Sequence, residues 1–417
     1  MIKSPSRHLV RDMSLSSEGE KKLEWAWTRM PILRRLREEL GASVQLKGIR
    51  IGMCLHLEAK TSLLASTLEE LGAEVSITSS NPLTTQDDVA AALTKRVSHV
   101  YSWYNETPKE YLENLHRVIE NRPNIIVDDG GDLGVLIHKE KMADGMLGGT
   151  EETTTGVLRY RAMEKDGVLR FPVIAVNNAK SKRIFDNKYG SGQSVVDGIV
   201  RTTNVLVAGK KVVVAGYGWV GRGIALRFKG LGGRITICET DPFSALEAHL
   251  DGFEVATMEE ASRFGDIFIT ATGNKDVISK RHFANMKDGA ILANAGHFDV
   301  EVDVRGLKEI CRGSRNVRKN VEEYTLPDGR RLYLLAEGRL VNIAAADGHP
   351  IEIMDMSFAT QLLSVFYLTK ERKLDNRVHD VPYDIDEKIA LLKLKSEGIE
   401  IDTLTEEQKE YLRQWRG

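Results

Sequence analysis

Apolar positions along the chain fall into two series of short runs, each run separated from the next by a stretch with helical spacing. The first series is Ile49–Leu55, Glu74–Thr78, His99–Trp103, Asn124–Val127 and Val173–Val176. The second starts at Lys210 and continues through Val212–Ala215, Arg234–Cys238, Ile267–Thr270 and Ala290–Ala293. Strands alternating with helices predict βαβ units, so the expected fold is α/β with two doubly wound, Rossmann-type parallel sheets. After Leu332 the chain passes through Glu337–Asn342 and Asp347-Gly-His349-Pro350 into a mixed helical stretch. The expected division is therefore 1–187, 188–348, 349–392 returning to the first unit, and a charged tail at 393–417. The first forty residues read as a charged helix, with Trp25, Trp27, Met30, Leu33 and Leu36 available to a core or a partner subunit.

Each run of the first series ends in polar residues: His56, Ser79-Ser-Asn81, Asp128-Asp-Gly-Gly-Asp132 and Asn177-Asn178. Ligands of open α/β sheets bind outside the carboxyl ends of the strands, which predicts a polar site along this rim. In the second series, the run Val212–Ala215 ends in Gly216-Tyr-Gly218-Trp-Val-Gly221, and Glu239 stands eighteen residues after Gly221 at the end of the next run. The first glycine makes a tight turn, the second admits a pyrophosphate, the third permits close helix packing, and the acid bonds a ribose 2′-hydroxyl. A carboxylate repels a 2′-phosphate, so the expected cofactor is NAD rather than NADP.

Composition narrows the partners. The formal net charge is −2, leaving no electrostatic footprint for nucleic acid. Cys54, Cys238 and Cys311 are scattered, without metal-ligand spacing or a disulfide framework, and no metal is expected. The terminus Met1-Ile-Lys-Ser-Pro5 is polar and no run is read as membrane-spanning, so the expected location is cytoplasmic.

The strings Glu151-Glu-Thr-Thr-Thr-Gly156, Lys180-Ser-Lys-Arg-Ile-Phe-Asp-Asn187, Asp128–Leu133, Gly296-His-Phe-Asp-Val300 and Asp347-Gly-His-Pro350 together resemble the S-adenosyl-L-homocysteine hydrolase family. The resemblance runs in order from about Ser16 to the last helix. It implies a substrate domain, an NAD domain and an oligomerising tail. It also implies thioether hydrolysis to L-homocysteine and a nucleoside through transient oxidation of the ribose 3′-hydroxyl by tightly bound NAD. Elimination, water addition and re-reduction follow.

Carried over by position, Glu152 and Lys182 hold the 3′-hydroxyl. Lys182 is its base, provided that burial or the neighbouring Lys180 or Arg183 lowers its pKa. Asp186 binds the ribose hydroxyls, Asp129 takes the C4′ proton, and His56 serves the 5′ end. His297 and His349 lie at the closing cleft. Asn177 and Asn187 organise the ribose and nicotinamide region, beside Thr153, Thr154 and Thr155. Gly216, Gly218, Gly221, Glu239, Asn274, Asn294 and Asn342 complete the NAD side. A homo-oligomer, as a tetramer or at least a dimer, is expected. Bland readings stand beside these: a turn built by Asp128, Asp129 and Asp132, Glu151 as a helix-terminal acid, and Lys180–Arg183 as a solvated face. The competing functions are a net NAD-dependent dehydrogenase and a non-catalytic NAD-binding regulator.

The chain departs from the family pattern in two regions. Its tail lacks the lysine and tyrosines that reach a neighbouring subunit's NAD, leaving Arg413 and Arg416 as the available cations, and Ser191 replaces a cysteine near the nicotinamide. The base-reading segment is His56-Leu-Glu58-Ala-Lys60-Thr61 instead of a histidine followed by Met-Thr-x-Glu or Met-Thr-x-Gln. An ammonium cannot accept from the amine of adenine. Lys60 on O6 and Glu58 on N1–H match hypoxanthine, whereas a mutually neutralised pair leaves adenine to the backbone. Both bases stay open.

Overall fold

A computed structural model describes residues 7–41, 46–371 and 374–415; Met1–Pro5 and Arg416 of the sequence reading lie outside them. The architecture is α/β with two eight-stranded sheets. The first is parallel throughout, in the order His8–Leu9, His99–Tyr101, Glu74–Thr78, Arg50–Cys54, Ile125–Asp128, Gly148–Glu151, Val173–Ala175 and Val378–Asp380. The chain thus returns to its first sheet after completing the second.

In the second sheet, Glu254–Val255, Arg234–Cys238, Lys211–Ala215, Ile267–Thr270, Ala290–Asn294 and Arg331–Leu335 lie parallel in that spatial order. This is the 3-2-1-4-5-6 order of a dinucleotide fold. The antiparallel strands Val321–Thr325 and Gly313–Arg318 extend its last edge.

Strand order reverses between Arg50–Cys54 and Ile125–Asp128, where Cys54 pairs with Asp128. Crevices form at such switch points. Because Asp128 also pairs with Glu151, and Glu151 with Ala175, register alone brings the residues that follow these ends onto one rim. His56, Asp129, Glu152 and Asn177 are those residues. The corresponding switch of the second sheet lies where Ala215 pairs with Thr270, directly before Gly216.

The helix Ile351–Lys370 is long and apolar enough to cross a membrane by length and composition, which corrects the reading that no run has that character. Here it is a core helix, buried along most of its length. Asp355 on its first turns accepts from Ile32 N and Leu33 N at 2.9 and 2.8 Å, capping the helix Pro31–Gly41. The N-terminal segment is thereby tied to the element that floors the site.

Candidate active site

The rims of the two sheets enclose a cavity of about 370 Å³, lined from the first sheet by His56, Asp129, Glu152 and Asn177 and from the second by Gly218, Thr272, His297 and Asn342. Met354 and Phe358 of the long core helix supply apolar wall.

One cluster centres on Lys182. Its ammonium lies 3.2 Å from Asp186 Oδ1 and 3.4 Å from Glu152 Oε1, and donates to Asn187 Oδ1 at 2.8 Å. Asn187 donates to Asn177 Oδ1, and Asn177 to Thr154 Oγ1. Ser357 donates to Asp186 Oδ2 at 2.7 Å, Gln361 to Glu152 Oε2 at 2.5 Å, and His349 Nδ1 lies 3.0 Å from Asp186. The other face of His349 meets Ser191 Oγ at 3.1 Å. Lys182 reaches Asn187, five residues on, as well as Asp186, four residues on, because Arg183–Gly190 winds as a π-helix, a form that recurs at functional sites.

Burial alone would depress the Lys182 ammonium, but Asp186 and Glu152 outweigh it and hold its pKa above the ordinary lysine value. This reverses the expectation of a lysine lowered by Lys180 or Arg183. Burial raises Glu152 to about 7, against the pull of Lys182. It acts upward on Asp186 too, but Lys182 and His349 prevail and keep that carboxyl well below its usual range. In this arrangement Lys182 is the cation and Glu152 the group matched to receive a proton near neutrality.

A second, looser cluster joins His56, Asp129 and His297. His56 Nε2 is 3.4 Å from Asp129 Oδ2, and His297 Nδ1, reaching across from the other sheet, is 3.7 Å from Asp129 Oδ1. Burial depresses His56 to about 4, although Asp129 opposes this. The turn before the helix Asp132–Lys139 needs its glycine: Gly130 has φ +101°, and a side chain there would run into the His297 ring.

The acidic turn divides in function. Asp128 accepts from Gly134 N and Tyr160 Oη, and Asp132 is held by Arg159 and Tyr111, so both build structure. Asp129 alone faces the cavity. Glu151 is a buried brace, accepting from Gly130 N, Thr153 N and Thr153 Oγ1, more than the helix-end acid expected. Thr153 caps the helix Thr154–Lys165, and Thr153, Thr154 and Thr155 all line the cavity.

Glu58 caps the helix Ala59–Glu70 through Lys60 N and Thr61 N, accepts from Thr61 Oγ1, and lies 2.9 Å from Lys60 Nζ. Lys60 also donates to the Asp347 carbonyl at 2.7 Å. The expected pairing of Glu58 with a base N–H is corrected: its oxygens are engaged by the helix terminus and Lys60.

On the second sheet, Gly216 has φ +95° and Gly218 faces open space on its Cβ side. A side chain at Gly221 would strike the Gly216 carbonyl. Glu239 Oε2 accepts from Tyr217 N at 2.6 Å and Oε1 from Thr240 N, which orients the carboxylate at the strand end. Asn342 lines the cavity with a buried Oδ1 that lacks a hydrogen-bond partner among the described residues. An open glycine turn, an oriented acid and an orphan amide oxygen fit NAD. Asn274 is exposed and accepts from Lys275 N, while Asn294 donates to the carbonyls of Gly296, Phe298 and Gly338, shaping the loop that carries His297. Arg413 ends an exposed helix, Glu406–Arg413, none of whose residues is buried.

Gln361, Ser357 and Thr84 also support the site, and the sequence reading passes over them; Ser80, from the expected polar rim, lies 3.3 Å from both His56 Nδ1 and Asp129 Oδ2. The first two lie four residues apart on the core helix, a spacing indistinguishable from ordinary burial.

Residues 187–348 match the family model for the S-adenosyl-L-homocysteine hydrolase NAD-binding domain, and residues 7–147 match the model for S-adenosyl-L-homocysteine hydrolase. Adenosylhomocysteinase of Sulfolobus acidocaldarius is 56% identical over 408 residues, covering 98% of each chain. S-inosyl-L-homocysteine hydrolase of Methanocaldococcus jannaschii is 56% identical over 410 residues, covering 98% of this chain and 99% of that protein. The S-inosyl-L-homocysteine hydrolase of Methanopyrus kandleri is 54% identical over 419 residues, covering 100% and 99%.

Proposed function

This chain belongs to the S-adenosyl-L-homocysteine hydrolase family, and on that premise we propose that it cleaves the thioether of an S-nucleosyl-L-homocysteine to L-homocysteine and the nucleoside. The observation that carries the reading is the placement of Lys182 between Glu152 and Asp186, across the cavity from the His56–Asp129–His297 cluster. NAD, when bound, accepts and returns a hydride, leaving no net redox change. Lys182 and Asp186 hold the ribose hydroxyls, Glu152 takes the 3′-hydroxyl proton, Asp129 takes the C4′ hydrogen, and His56 exchanges protons at the 5′ end. General acid–base groups of this kind contribute about 10²–10⁴-fold each.

The base is hypoxanthine in this reading. Lys60 spends two of its three N–H groups on Glu58 and the Asp347 carbonyl, and the third has no acceptor among the described residues. Glu58 already accepts four contacts, so the edge offered to the base is a donor. O6 of hypoxanthine can accept from it, whereas the adenine amine finds no acceptor there. An unsatisfied buried group costs about 1–3 kcal/mol, so the S-inosyl substrate should be preferred by about 5- to 150-fold in kcat/KM. Relatives bearing either name are equally similar, so the test is direct: thiol release from S-adenosyl- and S-inosyl-L-homocysteine in parallel. Faster adenosyl cleavage, unchanged in Lys60→Met, would reject the base assignment. Stoichiometric NADH release would instead favour a net dehydrogenase.

The protein is further proposed to work in the cytoplasm as a homo-oligomer, a tetramer or at least a dimer. Trp25, Phe243 and Leu250 are exposed and available for subunit contacts. A fully active monomer in light scattering would refute the assembly.

A further inference from the structure

The core helix Ile351–Lys370 meets the ribose cluster with two side chains one turn apart, Ser357 on Asp186 and Gln361 on Glu152. Both are fully buried and neither lines the cavity, so each acts on substrate only through the acid it holds. Gln361 carries a donor and an acceptor on one amide. Its Nε2 donates to Glu152 Oε2 at 2.5 Å, while its Oε1 is buried without a hydrogen-bond partner among the described residues. Nothing described on the far side of the amide therefore ties it to one orientation, and its terminal torsion is broad and roughly two-fold. The other oxygen of Glu152, Oε1, lies 3.4 Å from the Lys182 ammonium, which also binds Asp186, itself in contact with His349. Asp129 adds a further negative charge at the same cavity. Glu152 thus has a neighbour that only donates on one oxygen and a reversible amide on the other.

We propose that Gln361 is a positioning residue that sets the proton affinity of Glu152, donating to it as a carboxylate and, with the amide reversed, accepting from it as a carboxylic acid. This rests on the reading of Glu152 as the group that takes the 3′-hydroxyl proton. In that step the 3′ O–H and C3′–H bonds break and a C=O bond forms; the hydride passes to NAD and the proton ends on Glu152. A proton on Glu152 Oε1 faces a cation, whereas one on Oε2 meets the amide oxygen of Gln361. Each state of the acid then keeps a buried hydrogen bond, and returning the proton during re-reduction turns the amide back. Burial raises the Glu152 carboxyl, and the donors Lys182 and Gln361 pull it down again. A bond donated to the charged form favours that form, so losing Gln361 should make Glu152 hold its proton to higher pH.

The test follows the NADH absorbance formed in a single turnover of the NAD-loaded protein across a pH series. Gln361→Met keeps the length of the side chain without the amide. Its acid limb should move up by about one pH unit, so the first oxidation slows about tenfold at a fixed acidic pH and recovers on the alkaline side. That recovery also shows that the variant is folded. Gln361→Glu keeps the shape but sets two carboxyls to share one proton, and should move the limb further in the same direction. Inosine and adenosine should bind both variants as they bind the wild type, because residue 361 does not line the cavity. In a Glu152→Gln background, Gln361→Met should shift nothing. A limb absent from Glu152→Gln yet unmoved in both Gln361 variants, or a slowing equal at every pH, would overturn the role of Gln361 and leave that of Glu152 standing. A limb that persists in Glu152→Gln would overturn both.

Discussion

The two charged clusters of the cavity use the same kinds of residue to different ends. Around Lys182, every partner is fixed by a further side chain: Asn187 by Asn177, Asp186 by Ser357, Glu152 by Gln361. Around Asp129, the contacts are 3.4 and 3.7 Å long, and one partner comes from the opposite sheet. A network whose members are each held by a further side chain holds a substrate in one pose, whereas one with a partner on the opposite sheet can tighten as charge develops. The difference separates holding a hydroxyl pair from moving protons beside it.

The sharpest way to break that division is Lys182→Met. It leaves Asp186 and Glu152 buried without their cation, and cleavage should fall by at least about 10³-fold. The 340 nm absorbance of substrate-dependent NADH should vanish with it. Asp129→Asn should cost about 10²–10³-fold in turnover but preserve that absorbance, because it acts after the first oxidation. Loss of the NADH signal in both variants would merge the two clusters into one.

pH sharpens the comparison. With Glu152 raised to about 7 by burial, its proton-accepting form is lost below that value. The first oxidation should therefore slow by about tenfold per pH unit on the acid side. In Glu152→Gln the residual rate should lose this limb; a persisting limb would assign it elsewhere. The smallest effect is expected outside both clusters. Glu239→Arg removes an acid held by Tyr217 N and Thr240 N, and should weaken NAD by about 10-fold while improving NADP. Unchanged cofactor preference on titration would show that Glu239 does not contact the ribose.

The sequence made the central strands legible because they are apolar and buried on both faces. Arg234–Cys238 and Ile267–Thr270 match the predicted bounds. Gly148–Glu151 and Val378–Asp380 escaped: one opens on two glycines, and the other carries His and Asp in a short edge strand. The hairpin Gly313–Arg318 with Val321–Thr325 is mostly polar in its first strand, so periodicity offered little. Within the site, residue types and strand ends located Asp129, Glu152 and Lys182. Protonation was not legible, because the charge on Lys182 depends on which carboxylates the fold brings within 3.4 Å. Nor was the occupation of Glu58, which depends on its standing one residue before a helix.

The π-helix Arg183–Gly190 has a consequence for insertions and deletions. In an α-helix, residues five apart diverge by about 140° around the axis, yet Lys182 bonds both its fourth neighbour, Asp186, and its fifth, Asn187. The wider winding supplies that extra reach and also sets the phase at which Ser191–Thr203 leaves to pack on the cofactor half. Removing one residue between 183 and 190 would let the segment relax to ordinary winding and rotate everything downstream of it. Substrate grip and cofactor alignment are thus geared to one another through a single count of residues, and this stretch should tolerate replacement of side chains far better than any change in length.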